Sequence, residues 1–493
     1  MNATKSAGAR IVAGAWRPAD PARRPAIRGP GPEEIAMESM SALDASFLYV
    51  ENEVNHMHIA VVAIFEGPPP AGSEFEEMIA SKLPLVPRYR QRVRFVPFDL
   101  GRPVWVDDPH FNLRFHVRHT ALPAPGSDEQ LRTLVGRVMS QQLDRAKPLW
   151  EVWVVEGLEG GRWAMLSKTH HCMVDGVSGS DLLSVMLDTE PDADHDTVDH
   201  WRPAKAPSGS SLVTDALVEG LKTPGEVLRH FRSALRAPGR VLHQLSDAVE
   251  GFASYRGYGD TELETTLNGP IGPHRRWSWS SVSIAEVLKI RGAHGGTVND
   301  VVLAAITQGF RTLLLAREEP VEGRFVRSLV PVSVRGEDEH GVMDNRVSAM
   351  FADLPVGIAD PVDRLFAVRD EMEDLKEHHQ AAAAQTLNSL SSVTPTVLLS
   401  LAGRVFAGLE QHAVQTVTTN VPGPRTPLYA AGRRMLHAYP YVPLSGSVRI
   451  GVAIFSYAGE VSFGVTGDYD AAPDIDVLAE GIAAGIRDLV ATS

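Results

Sequence analysis

The 493-residue sequence has a single cysteine, Cys172. No disulfide can form within the chain, and no cysteine-based zinc site can be assembled. Positive charge is scarce: 47 Lys and Arg stand against 61 Asp and Glu, a formal net charge of −14. A sequence-independent nucleic-acid binder needs a basic footprint, so this balance argues against one. No run reads as membrane-spanning, because the longest charge-free stretch, 378–403, is broken by Gln, Asn, Ser, Thr and Pro395. The segment up to Glu34 has no apolar core and no signal cleavage site. Neither a GxxxxGK[ST] loop nor a Rossmann glycine loop occurs in a strand–turn–helix setting. What is there is ordinary for a globular enzyme, 44% hydrophobic and 22% charged. These features fit a cytoplasmic protein that can touch a membrane surface without crossing it.

Residues 1–38 are rich in Ala, Arg, Pro and Gly without periodicity. They read as a disordered tail, or as an over-extended start with Met37 or Met40 as the initiator. Alternating or continuous apolar runs predict strands over 58–67, 111–120, 149–158 and 162–170. A helix over 127–144 opens on Ser127 as N-cap. Residues 191–280 carry many turn signals and read as a crossover with short helices. Beyond it, the pattern predicts helices from 281, from 297, over 361–389 and over 396–410, with a last one at the C-terminus. Strands are expected over 325–335, 345–356, 414–420, 448–459 and 460–468. Strands and helices mix in both halves, so two α/β (α+β) sandwich domains are expected, over 39–190 and 281–493.

The strongest chemical feature is HHCMVDG, His170–Gly176, where a strand hands over to a helix. Neighbouring side chains of a strand point to opposite faces, so His170 and His171 cannot both reach one point. That geometry argues against joint metal chelation; no metal site is expected. A neutral imidazole is a ready general base near pH 7. Asp175 could orient it or pair with an arginine, and Gly176 permits close backbone approach. Arg88, Arg90 and Arg92 are candidate partners of Asp175 by local clustering. His56 and His58 share a strand face but lack a third ligand. Cys172 reads as a packing residue, since a reactive thiol should have an activating base of its own. Pro148–Trp150 reads as a fold element, and Asn299-Asp300 as helix-opening residues. The segment 225–240 combines an apolar stripe with Arg229, Arg232, Arg236 and Arg240, the pattern of a helix that can lie on an anionic lipid surface.

HHCMVDG resembles the HHxxxDG signature of the CoA-dependent acyltransferase superfamily. LDASFLYVENEVNHMHIA, KPLWEVWVVEGL, TVNDVVLAAI, LVPVSVR, NRVS, TNVPGP and YAGEVSFGVTGD are similar, in order, to blocks of the bacterial wax ester synthase/acyl-CoA:diacylglycerol acyltransferase family. The resemblance runs from about residue 40 to the C-terminus. It implies two chloramphenicol-acetyltransferase-like halves joined by a crossover, with a channel between them. It implies acyl-CoA as donor and a long-chain alcohol or diacylglycerol as acceptor, giving wax ester or triacylglycerol, with no cofactor. His171 is then the general base, His170 and Gly176 support the motif, and Asp175 is a structural partner of an arginine. Asn299, Asp300 and Asn420 become channel candidates, and contact with the inner membrane or lipid droplets follows from the substrates. CoA phosphates would need local arginines; Arg275-Arg276 and Arg433-Arg434 are the weak candidates. Two other readings stay open: a condensation-type or polyketide-associated acyltransferase fed by a carrier-protein thioester, and a non-catalytic lipid-binding paralogue.

Overall fold

A computed structural model describes residues 38–174, 183, 185–195, 199–214, 265–333, 347–390 and 414–493. The tail, Asp175, Gly176, the 225–240 segment and the helix expected over 396–410 lie outside the described residues. Ser41 opens α1 (Ala42–Val50) by accepting the amide of Asp44, and Glu51 closes it. β1 (His58–Phe65) and α2 (Gly72–Lys82) follow. A hairpin comes next, β2 (Gln91–Arg94) with β3 (Val104–Asp107), for which the apolar pattern gave no warning. The strand expected over 111–120 begins only at Val117. Asn112 caps a single helical turn, α3 (Leu113–His116), ahead of β4 (Val117–Ala121). α4 (Asp128–Met139) carries the expected Ser127 cap, closed reciprocally by Gln130. β5 (Trp150–Glu156) and β6 (Trp163–His170) complete this half. Trp150 packs as expected, between Tyr89 and His116, each with ring centroids 4.5 Å away.

The second half supplies β7 (Arg275–Ser283), α5 (Ile284–His294), α6 (Val298–Ala316), β8 (Val326–Ser333), β9 (Val347–Leu354) and α7 (Pro361–Leu390). It continues through β10 (Thr416–Pro422), β11 (Tyr429–Ala430), β12 (Arg433–Tyr441), β13 (Ile450–Tyr457), β14 (Glu460–Asp468) and α8 (Ile475–Ala491). Two mixed six-stranded sheets result, in the orders β11-β12-β1-β6-β5-β4 and β7-β14-β13-β10-β8-β9. Chain from the second half thus completes the first sheet: β12 runs antiparallel to β1, with Ala60 opposite Tyr441. No strand was expected there. To reach that edge β12 passes over β14 so closely that any β-carbon at Gly464 would collide with the carbonyl of Pro440, which also accepts the indole N–H of Trp277 at 3.1 Å. Glycine is the only residue that lets the two backbones approach.

By length and composition α6 could cross a bilayer, although no spanning run was read in the sequence. Its side chains from Asp300 to Ile306 are buried, and it packs on α8 where a β-carbon on Gly481 would lie 3.0 Å from the Cα of Gly309. It is the core helix of the second sandwich, against which Leu478, Ile482 and Ile486 also pack.

The β1–β6 register sets the two faces of the first sheet. His58 lies opposite His170, and Ala60 opposite Lys168, on one face; Ile59 opposite Thr169 and Val61 opposite Ser167 lie on the other. On the first face Lys168 is buried and donates to the carbonyl of Val138 at 2.9 Å, and to that of Gln141, at the end of α4. Burial lowers its ammonium to about 8, and the helix-terminal carbonyls compensate for the lost water.

Candidate active site

β6 ends at His170, and the chain folds at once into a 3₁₀ turn, His171–Met173. His170 builds that turn. Its Nδ1 accepts the amide of Cys172 at 3.2 Å, so Nδ1 carries no proton and the ring N–H sits on Nε2. The amide of His171 donates to the carbonyl of Met57 at 2.8 Å, and the amide of His170 to that of Leu149 at 2.9 Å. Strand alternation then separates the two rings. His170 is wholly buried, whereas His171 is half-buried with its ring stacked on Phe47 of α1, centroids 4.0 Å apart.

Behind the turn lies a charged cluster. Nε2 of His170 faces Oε2 of Glu51 at 3.5 Å, and Nε2 of His58 faces Oε1 at 3.3 Å. Arg145 reaches the same carboxylate through Nε at 3.0 Å and holds the carbonyl of Leu48 at 3.2 Å. Burial alone would raise the Glu51 carboxyl. The contacts from His170 and His58 outweigh it and hold the group well below the usual carboxylate range. Burial pushes His58 down to about 3. A charged Glu51 beside a neutral His58 is consistent, because Arg145 supplies a counter-charge. Burial, with His170 close by, pushes His171 down to about 4. Its imidazole is therefore neutral across the physiological range and open as a proton acceptor. The Cys172 thiol is pushed up by burial and by Asp44 and Glu51, which matches a packing role.

These histidines make stability acid-sensitive. His58 and His116 are almost wholly buried, at about 3 and about 4, and both are depressed from 6.5 by burial. The unfolded chain takes up protons near pH 6.5 and the folded chain does not. Their share of the stability is complete above that pH and is lost as pH falls toward 4, at up to about 1.4 kcal/mol per pH unit for each group. The melting temperature will fall steadily between pH 6.5 and 4.5 in a calorimetric series. A flat profile down to pH 5 would show that these imidazoles charge in the folded state.

Residues 40–302 match the family model for the wax ester synthase/diacylglycerol acyltransferase catalytic domain, and residues 343–489 match that of its C-terminal domain. The chain belongs to this family. It is 38% identical over 459 residues to a protein of Mycobacterium tuberculosis named as a probable diacylglycerol O-acyltransferase, tgs1, covering 93% of this chain and 96% of that one. Its fold is that of the wax ester synthase/diacylglycerol acyltransferase from Marinobacter aquaeolei VT8, at TM-score 0.64 and 24% identity, covering 92% and 99% of the two chains. The starter condensation domain of rhizomide synthetase shares the fold at TM-score 0.52 and 13% identity, over 92% and 93%. The protein is an acyltransferase with the two-sandwich architecture that the resemblance implied.

Within this acyltransferase the other expected site residues divide. Asn420 donates through Nδ2 to Oδ1 of Asn299 at 3.1 Å, so the structure brings these two together at the start of α6. Asp300 is turned inward: its Oδ2 accepts the Thr297 amide at 2.7 Å, and Thr297 Oγ1 accepts the Asp300 amide at 3.2 Å. That makes Asp300 half of a capping box and buries it. The candidate arginines for Asp175 have other partners. Arg88 pairs with Glu38 at 2.7 Å, Arg90 with Asp199, and Arg92 donates to the carbonyl of Ala146 at 3.2 Å. Arg275, a candidate for CoA phosphates, is buried and bound to the carbonyls of Gly272, His274 and Val54. It ties the start of β7 to the segment before β1 and is no free phosphate ligand. Arg433 is engaged with Glu74 and with the carbonyl of Ala431. Among the described residues no three His, Cys, Asp or Glu side chains form a metal-ligand set. Phe47, Glu51 and Arg145 were not singled out from the sequence. They lie inside or beside the blocks FLYVEN and RAKPLW, and only their approach to the motif in space marks them.

Proposed function

We propose that the enzyme moves a long-chain acyl group from acyl-CoA to the hydroxyl of diacylglycerol, or of a long-chain alcohol, with His171 as general base. The observation that carries this is the presentation of His171: a neutral, half-buried imidazole at a strand end, fixed through its backbone to Met57 and across its face by Phe47. The imidazole takes the proton of the acceptor hydroxyl as its oxygen attacks the thioester carbonyl. The tetrahedral oxyanion then collapses, the C–S bond breaks, and the imidazolium returns its proton to the departing CoA thiolate. Transfer is direct, because Cys172 is buried with a raised thiol and no acyl-enzyme is needed. Two substrates suffice, without a cofactor. Asp175 takes the structural role that the family resemblance implies, and Asn299 with Asn420 borders the substrate channel. The enzyme works in the cytoplasm at the surface of a membrane or lipid droplet, where both acceptors reside.

Purified protein with palmitoyl-CoA and a panel of acceptors tests this, following CoA release and resolving the lipid products. Triacylglycerol or wax ester formed with stoichiometric CoA release is the expected result. Turnover only with a carrier-protein thioester would replace the donor assignment, and no turnover with either donor would leave a binding protein.

A further inference from the structure

The hairpin β2–β3 carries a surface that the reaction does not use. Four of the eight large hydrophobic side chains exposed among the described residues fall between 85 and 100: Leu85 at 57%, Phe95 at 39%, Phe98 at 88% and Leu100 at 43%. Single exposed hydrophobics need no explanation; four on one short segment do. Phe98 stands at the tip with φ +61°, a left-handed backbone conformation that bulky residues rarely adopt, so the turn holds the ring outward. The charge around it opposes that of the whole chain. The hairpin itself, 91–107, contains Arg92, Arg94 and Arg102 against Asp99 and Asp107, a slight basic excess in a protein of net charge −14. Arg94 and Arg102, which flank the tip, are half-exposed. Phe95 also walls a cavity of about 250 Å³ that reaches Glu51 and Arg145, directly behind His170.

We propose that the 95–102 tip docks the enzyme on an anionic lipid surface, with Phe98 and Leu100 entering the interface and Arg94 and Arg102 meeting acidic headgroups. Apolar residues ringed by arginines are the composition that such an interface selects. A second copy of this acidic chain would also attract the arginines, but a hairpin tip offers far less area than a stable dimer buries. The docking explains how a water-soluble donor and a membrane-resident acceptor reach one site. It rests on the proposed acceptor for its purpose only, since lipid binding is measured without acyl-CoA.

The test is co-sedimentation of the full chain with phosphatidylcholine vesicles, with and without phosphatidylglycerol. Wild type should bind the anionic vesicles and release them in high salt. Phe98→Ser with Leu100→Ser should weaken binding about tenfold or more. Arg94→Glu with Arg102→Glu should weaken it by a similar factor and remove its dependence on phosphatidylglycerol. Both variants should keep the wild-type melting temperature and the wild-type turnover of short-chain substrates dissolved in water. Binding unchanged in both variants would overturn the proposal, as would a change confined to oligomeric state. If either variant fails to fold, Phe98→Cys labelled with an environment-sensitive dye decides, since the native cysteine is buried. A blue shift on anionic vesicles is expected, and an unshifted spectrum would overturn the docking. Failure of this binding with intact triacylglycerol synthesis would leave the proposed function standing.

Discussion

Replacing His171 by alanine will lower kcat by about 10²–10⁴ at saturating acyl-CoA, because the acceptor hydroxyl must then lose its proton to water. The fold will survive. His171 is only half-buried, its backbone amide still reaches Met57, and the lost ring contact is with Phe47 alone among the described aromatic pairs. Deleting a group held down at about 4 should also flatten the loss of melting temperature between pH 6.5 and 4.5. His170→Ala behaves differently. Strand alternation turns this ring away from His171, but the ring also accepts the Cys172 amide and so makes the turn that presents His171. Its loss leaves a buried N–H unpaired, at about 1–3 kcal/mol, so activity and melting temperature should fall together. Measuring kcat and melting temperature for both variants separates the roles. A well-folded His170→Ala enzyme without turnover, beside an active His171→Ala enzyme, would move the base to His170.

The fold was legible where periodicity is strong. β1, α4, β5, β6, α6 and the last two strands stand within a few residues of their expected places, because each buries one continuous apolar face or run. β12 was missed for a physical reason. Its sequence, RRMLHAYPY, lacks a clean alternation, since one end is pinned by Arg433 to Glu74 and the other passes between the sheets at Pro440. A strand that completes a distant sheet is specified by partners remote in sequence, His58–Phe65 here, and no local window contains them. The β2–β3 hairpin was missed because its tip spends apolar residues on the surface, which reads as noise to any rule that equates apolar with buried.

The candidate site was legible in its motif and opaque in its support. Two adjacent histidines at a strand end predicted two faces, and the register of His58 against His170 places them so. What supports the motif is assembled from α1, from the segment before β5 and from β1. Arg145 and Glu51 are 94 residues apart in sequence. Nothing in their local pattern distinguishes them from a solvated acid and base, whereas burial does: the Glu51 side chain is 3% exposed. Conversely, Arg275 was a weak candidate for CoA phosphates and proves to be a buried tie between the halves.

Glu51→Ala is the second large effect expected, and it should show Glu51 to be a positioning residue. The carboxylate faces the Nε2–H of His170, and that tautomer leaves Nδ1 free to accept the Cys172 amide. Without it, His170 loses the charge that holds its proton on Nε2, the turn loosens, and His171 moves from its line toward the substrate. A misplacement of that kind costs about 10–10² in kcat, with KM for acyl-CoA near the wild-type value, since no substrate contact is removed. Stability should fall as well, because a buried carboxylate is lost from between His58, His170 and Arg145. Arg145 adds little to that cost, since its side chain is 39% exposed and water can take over its charge. Glu51→Gln keeps the shape and one acceptor oxygen. It should recover most of the melting temperature and part of kcat, and the remaining gap isolates the role of the negative charge in fixing the tautomer. A folded Glu51→Ala enzyme with wild-type kcat would detach the cluster from catalysis. A kcat that tracks melting temperature alone across both variants would reduce Glu51 to a structural ion-pair partner of Arg145.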